Sequence, residues 1–200
     1  MQYLKDEVRK KILEEALKEF GKSGYEGASI RNIVKNASTS VGNFYKYFES
    51  KDDLYEKLIG SVYYQLISYL KKFDEVKFDD NTQNIFCWLM EKLMDIVKNN
   101  SVELSVLLNK SSGSKYENCK ITFVEYVTNT VTKNIKYQLS LINRRLKDNF
   151  IIYILSWSLI KGITVILQEK EDGAEVRKHI LKLIEVLYSD IINKVESEEI

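Results

Sequence analysis

Ser38 to Leu54 reads STSVGNFYKYFESKDDL, setting four aromatic residues, Phe44, Tyr45, Tyr47 and Phe48, among hydroxyls, an amide and a lysine. Wound as a helix from Val41 to Phe48, the run places Phe44, Phe48, Val41 and Tyr45 within one arc of roughly 100°. Gly42, Asn43, Lys46 and Tyr47 take the rest of the circumference. The first arc suits a core. The second is a surface of small and polar groups beside Thr39 and Ser40 at the helix start. On this reading the Tyr45 ring packs inward and only its hydroxyl reaches outward.

The flanks give this helix its setting. Upstream, Ile12, Leu13, Ala16, Leu17 and Phe20 share one face of a helix predicted over about Lys5 to Lys22, with Gly21 and Gly24 available to end it. Ser29 precedes the short apolar pattern Ile30, Ile33, Val34 and Ala37, and reads as an N-cap. Downstream, Ser50 opens a further helix: Asp53 stands at its third position, and Asp52 and Asp53 favour the positive end of the helix dipole. Two short helices joined by a turn of three or four residues are the ingredients of a helix-turn-helix, here within a three-helix unit of about fifty residues.

That arrangement has chemical requirements which this stretch meets. Gly42 lets a helix backbone come close to DNA; Thr39, Ser40 and Asn43 can reach base edges or phosphates; Tyr45, Lys46 and Tyr47 can bond to phosphates along the groove wall. Ser29 caps a helix whose first amides form an anion site, Arg31 lies in its first turn, and Lys51 opens the following helix near the same surface. The whole chain carries 30 basic and 29 acidic side chains, so net charge points to neither nucleic acid nor membrane. Residues 1–51 hold ten lysines and arginines against seven acids, a modest local excess of positive charge.

The remainder of the 200 residues contains no proline and spaces its apolar residues helically, so the fold class is all-α with about nine helices. Composition divides it into a head, 1–50, and a larger helical domain, 51–200. The predicted helices of that domain cover about 51–72, 82–98, 102–109, 116–141, 147–168 and 174–195. Phe150 to Leu167 passes a length test for a membrane span, yet Lys161 near its middle would cost about 2.5–3.5 kcal/mol in a bilayer. A buried helix is the better reading. The N-terminus has no signal-like apolar run, and Cys87 and Cys119 lack paired spacing, both consistent with a cytoplasmic protein whose cysteines pack as small hydrophobes.

ILEEALKEFGKSGYEGASIRNIVKNASTSVGNFYKYFESKDDLYEKLI resembles the N-terminal domain of TetR-family transcriptional regulators. The resemblance rests on Ala16, Phe20 and Gly24 in the first helix; Ser29, Ile30, Arg31 and Ile33 in the second; then Ala37, Ser40, Gly42, Tyr45, Tyr47, Phe48, Ser50, Lys51 and Leu54. It covers about fifty residues. Ser38 and Thr39 stand where the family usually has Gly-Val, Val41 where a polar residue is common, and Asn43 where threonine is frequent. Carried over by position, the resemblance implies that Ser29, Arg31, Thr39, Ser40, Val41, Gly42, Asn43, Tyr45, Lys46, Tyr47 and Lys51 lie at or near double-stranded operator DNA.

The family likeness further implies a homodimer and a small-molecule effector, and repression as the usual outcome. The residues supply partial support. Val176, Ile180, Leu183, Ile184, Leu187 and Ile191 form a stripe on the last helix, and the preceding helix is apolar nearly all round, a combination that suits pairing with a second copy. Aromatics are dense beyond Ser61, and Trp88, Tyr126 and Trp157, each on a different helix, are the candidates for an effector pocket, though a helical aromatic stripe also serves as plain core. One histidine, His179, makes no metal site. No cofactor is implied, and no arrangement of nucleophile, base or glycine-rich phosphate loop points to an enzyme. The competing reading is a helical binding or scaffolding protein whose head no longer reads DNA.

Overall fold

The computed structural model describes residues 2–77, 79 and 81–199, with the side chains of the first helix from Asp6 onward. In chain order the helices are α1 (Gln2–Gly27), α2 (Ile30–Asn36), α3 (Val41–Phe44), α4 (Lys51–Tyr55), which continues as a π-helical turn over Glu56–Gly60, α5 (Ser61–Glu75), α6 (Thr82–Asn99), α7 (Ser101–Asn109), α8 (Cys119–Ser140), α9 (Phe150–Glu169), α10 (Gly173–Tyr188) and α11 (Ile191–Lys194). Two short strands, β1 (Arg144–Leu146) and β2 (Ser197–Glu199), pair antiparallel. The contacts separate two compact units: Met1–Tyr64 with Asn100–Asn118, and Gln65–Asn99 with Cys119–Ile200.

The first unit is built on the predicted apolar faces. Ile12, Ala16 and Phe20 of α1, Ile33 of α2, Phe44 of α3 and Leu54 of α4 are all fully buried. Burial of such side chains contributes about 1.5–3 kcal/mol each. Gly24, at φ 71° and ψ 170°, breaks the helical backbone of α1 as its residue type suggested. The Tyr25 amide beyond the break donates to the Lys110 carbonyl at 2.8 Å, at the end of α7. The unit therefore runs past residue 50 and takes in a second stretch of chain, Asn100–Asn118.

The π-helical turn ends at Gly60, a tightly surrounded glycine. A Cβ on Gly60 would lie 2.5 Å from the Tyr116 hydroxyl and 2.8 Å from the Glu56 carboxyl carbon. Glycine leaves room for the buried Tyr116 to donate its hydroxyl to Glu56, whose carboxylate also holds Lys115 Nζ at 2.7 Å.

In the second unit α8 packs on α9, α9 on α10 and α10 on α6. Gly162 sits so close to Leu183 that a Cβ there would overlap it, and Arg177 ties α10 to Glu91 and Asp95 of α6. Ile135, Leu139, Ile152 and Val195 form a buried cluster joined by Val131, Leu146, Ile191 and Ile192.

Several boundaries differ from the sequence reading, each for a local reason. The last predicted helix, 174–195, is two pieces, because Asp190 adopts a left-handed backbone (φ 55°, ψ 32°) between α10 and α11. The helix predicted from Tyr116 begins at Cys119, since Ser111–Asn118 is spent on turns stitched by the Ser114 hydroxyl. The strands were not foreseen. Their register sets Arg144 opposite Glu199 and Arg145 opposite Glu198, an opposite-charge pairing too short to show as alternation. Cys87 is exposed, not packed, whereas Cys119 is buried and its thiol is raised to about 11 by burial. The loop expected around Asp74–Asn81 is described except at Phe78 and Asp80, which lie outside the described residues.

The helix tested for membrane crossing is α9. It is long and apolar enough to span, with mean hydropathy 2.0, and 33% of it is buried. Burial within the chain accounts for only one side of it.

Candidate nucleic-acid interface

The turn between α2 and α3 is assembled from ordinary backbone chemistry. At the end of α2 the Ser38 amide donates to the Lys35 carbonyl (3.1 Å) and the Thr39 amide to the Val34 carbonyl (2.9 Å), with Ser38 at φ 53° between them. This is the Schellman arrangement, in which the left-handed position normally falls to glycine. Ser40 then caps α3, its hydroxyl accepting the Asn43 amide at 3.1 Å. Asn43 Nδ2 donates to Thr39 Oγ1 at 2.9 Å, so the two side chains are held together at the start of α3.

Ser29 occupies the N-cap of α2, but its side chain makes no capping bond. Glu19 of α1, a carboxylate only 7% exposed, ties the start of α2 down instead, accepting from the Ser29 amide at 3.2 Å and from Asn32 Nδ2 at 3.1 Å. Glu19 was missed in the sequence reading, and it left a signal: it stands between Ala16 and Phe20, on the buried face of α1.

Phe44 and Phe48 are buried, as helical phase requires, with ring centroids 5.4 Å apart. Tyr45 and Val41 depart from it. Tyr45 is 56% exposed, its ring set edge-on to Phe44 at 5.2 Å, and Val41 is 39% exposed. α3 stops at Phe44 and residues 45–47 form turns, although the Phe48 amide still bonds to the Phe44 carbonyl at 3.1 Å; Val41 at the start of α3 and Tyr45 just past its end both line an open hollow. The whole Tyr45 ring, not its hydroxyl alone, is on the surface. Lys46 is exposed, and Tyr47 lies partly buried against Phe48 at 6.5 Å.

Five of the eleven predicted contact residues, Ser29, Arg31, Val41, Tyr45 and Lys51, line one open hollow of about 570 Å³, together with Ala28 and Ile30. Arg31 is exposed beside it. Lys51 is anchored: its ammonium donates to the carbonyls of Tyr25 (2.9 Å), Glu26 (3.3 Å) and Ala28 (3.4 Å) and lies 4.7 Å from the centroid of the Tyr25 ring. It brings positive charge to the hollow while closing the C-terminal end of α1. Thr39, Ser40, Gly42, Asn43, Lys46 and Tyr47 lie outside the hollow, on α3 and its two ends. Gly42 is exposed, with nothing within 4 Å of where a Cβ would be.

The three effector candidates lie on three different helices. Trp88 is 53% exposed on α6, while Tyr126 on α8 and Trp157 on α9 are partly buried, and none lines the cavity of about 560 Å³ found in their unit.

Comparison with known proteins agrees with the geometry of the head. Residues 12–58 match the family described as bacterial regulatory proteins, tetR family. The chain is 30% identical over 94 residues to the protein named "Probable HTH-type transcriptional regulator YttP" of Bacillus subtilis, a match spanning 47% of this chain and 44% of that one. It is 22% identical over 148 residues, 73% of this chain and 69% of the relative, to IcaR of Staphylococcus epidermidis, the negative transcriptional regulator of a biofilm operon. The crystal structure of a TetR-family transcriptional regulator from Pectobacterium atrosepticum superposes with a TM-score of 0.51 at 18% identity, covering 98% of this chain and all of that one. Residues 12–58 are thus a TetR-family N-terminal domain, and the chain has the all-helical fold of TetR-family regulators.

Proposed function

We propose that this protein is a cytoplasmic DNA-binding transcriptional regulator that grips a palindromic operator as a homodimer and releases it on binding a small-molecule effector, acting as a repressor. The observation that carries the DNA-binding part is the meeting of Ser29, Arg31, Val41, Tyr45 and Lys51 in one hollow next to an α3 whose outer face is led by an unobstructed Gly42. In this reading Arg31, Tyr45, Lys46 and Tyr47 hold phosphates, and Thr39, Ser40 and Asn43 face base edges. Asn43 spends one amide hydrogen on Thr39 and keeps its second hydrogen and its carbonyl oxygen for a base. Ser29 and Lys51 support the surface from beneath. Two heads on successive major grooves, about 34–36 Å apart, would read the palindrome. IcaR, one of the relatives, is named a negative regulator, which favours repression.

A gel-shift titration on the DNA upstream of the protein's own gene, at several salt concentrations, tests this. Operator affinity should fall steeply as salt rises, because phosphate contacts release counterions. Lys46→Ala should weaken operator and random DNA alike, whereas Asn43→Ala should also change sequence preference. Salt-insensitive binding, or equal losses on both DNAs for both variants, would overturn the contact set.

A further inference from the structure

The stretch Tyr25–Ser29 runs from the helical break at Gly24 to the start of α2, whose second residue is Arg31. Its backbone is held from two sides by groups of opposite charge. Glu19 lies on the buried face of α1 with Ile12, Ala16 and Phe20, and a single oxygen, Oε1, accepts both the Ser29 amide at 3.2 Å and Asn32 Nδ2 at 3.1 Å. Lys51 of α4 takes the opposite polarity of the same stretch. Its ammonium has three hydrogens to donate, and the carbonyls of Tyr25, Glu26 and Ala28 stand 2.9, 3.3 and 3.4 Å from it.

These bonds do what the apolar seat of α2 does not. α2 packs on α1 and buries Ile33 and Val34, but apolar burial is non-directional and fixes the roll of a seven-residue helix about its axis only weakly. The Ser29 side chain makes no capping bond, so the start of α2 has no clasp of its own. Hydrogen bonds are directional. With Asn32 drawn to Glu19, Arg31, one residue back and about 100° round the helix, is set in direction at the hollow it shares with Ser29, Val41, Tyr45 and Lys51. The Lys51 ammonium spends its hydrogens on the three carbonyls, which leaves none for a phosphate.

We propose that Glu19 and Lys51 are positioning residues, a clamp on Tyr25–Ser29 that aims Arg31 at DNA without either of them bonding to DNA. The clamp rests on the DNA-binding reading, and it gives Lys51 a role inside the head in place of a phosphate contact.

Glu19→Gln, Glu19→Leu and Lys51→Met, each in the full-length protein, test it by gel shift at several salt concentrations, with urea unfolding and amide hydrogen exchange on the same preparations. Glu19→Gln keeps an acceptor oxygen and should bind operator within about twofold of the unaltered protein. Glu19→Leu keeps the apolar face of α1 but has no acceptor. Exchange of the Ser29 amide should quicken and operator affinity fall about tenfold, under conditions where urea unfolding shows the protein fully folded. Lys51→Met should also weaken binding while leaving the slope of affinity against salt unchanged, whereas Lys46→Ala lowers that slope by about one. A residue that only stabilised the fold would shift the urea midpoint and leave the affinity of the folded protein alone. Equal losses in Glu19→Gln and Glu19→Leu, undiminished binding by Glu19→Leu, or a slope lowered by about one in Lys51→Met would overturn the clamp. Should Glu19→Leu fail to fold, the Lys51→Met slope decides. An unaltered protein that bound no DNA at any salt would defeat the DNA-binding reading itself, a result distinct from all of these.

Discussion

Under the proposed contact set, Gly42 separates folding from recognition. A methyl there meets no atom of the protein within 4 Å. Gly42→Ala should leave the free protein as stable as before, or more stable by up to about 1 kcal/mol from helix propensity, while operator affinity falls at least about tenfold because the backbone can no longer approach the groove. Urea unfolding and a gel shift on the same preparation check both halves. Glu56 makes the opposite kind of prediction, one about folding alone. Burial by itself would raise its pKa, but the bonds from Lys115 and Tyr116 outweigh that and hold it below the ordinary 4.5. A depressed carboxylate stabilises the fold above its unfolded value and loses that contribution as pH falls through the folded one. The melting temperature should therefore drop below about pH 4.5, and Glu56→Gln should flatten that part of the profile. Neither pairing could be read from sequence, because Glu56 and Tyr116 are 60 residues apart. Glu19 could have been, since an acid inside an apolar helical stripe must find a partner.

The elements were legible wherever a residue type has few uses. Gly24 broke α1, and Ser50 capped α4 by accepting the Asp53 amide at 3.0 Å. Periodicity failed at the two ends of α3, which is barely one turn long: Val41 at its start and Tyr45 just past its end are both exposed although the phase assigned them to the buried arc. The turn before α3 offers a test of the same chemistry. Ser38 holds a left-handed conformation that costs an L-residue roughly 1–2 kcal/mol. Ser38→Gly should raise stability by about 0.5–1 kcal/mol, less than the strain because glycine also loses more backbone freedom on folding. The midpoint of urea unfolding should rise at an unchanged slope. A fall would mean that Ser38 makes side-chain contacts worth more than its strain.

The second unit leaves one large apolar surface uncovered. On α9 the residues buried within the chain, Ile152, Ser156, Leu159, Ile160, Thr164 and Leu167, occupy one side. Phe150 (67% exposed), Ile151, Ile154 and Val165 (48% exposed) fall within an arc of about 100° on the other, interrupted by Ser158 and Lys161. On the proposed dimeric reading, this apolar stripe would be covered by a second copy of the chain, because a two-fold axis presents the same patch twice. The stripe was foreseeable from the near-continuous apolar run; which side of the helix stays uncovered depended on how α8 and α10 pack, which no single segment encodes. Ile154→Asp would place an unpaired charge in the pairing surface, a change of roughly 3 kcal/mol or about a hundredfold in dimer dissociation. Since Ile154 is exposed in the single chain, its helical content should be unaltered. The variant should sediment as a monomer with an unchanged circular dichroism spectrum. Its DNA binding should also lose about half of its salt dependence, because one head neutralises half as many phosphates as two. A monomeric variant that kept the full salt slope would show that a single head makes all the phosphate contacts, and the dimeric reading of the operator would fall with it.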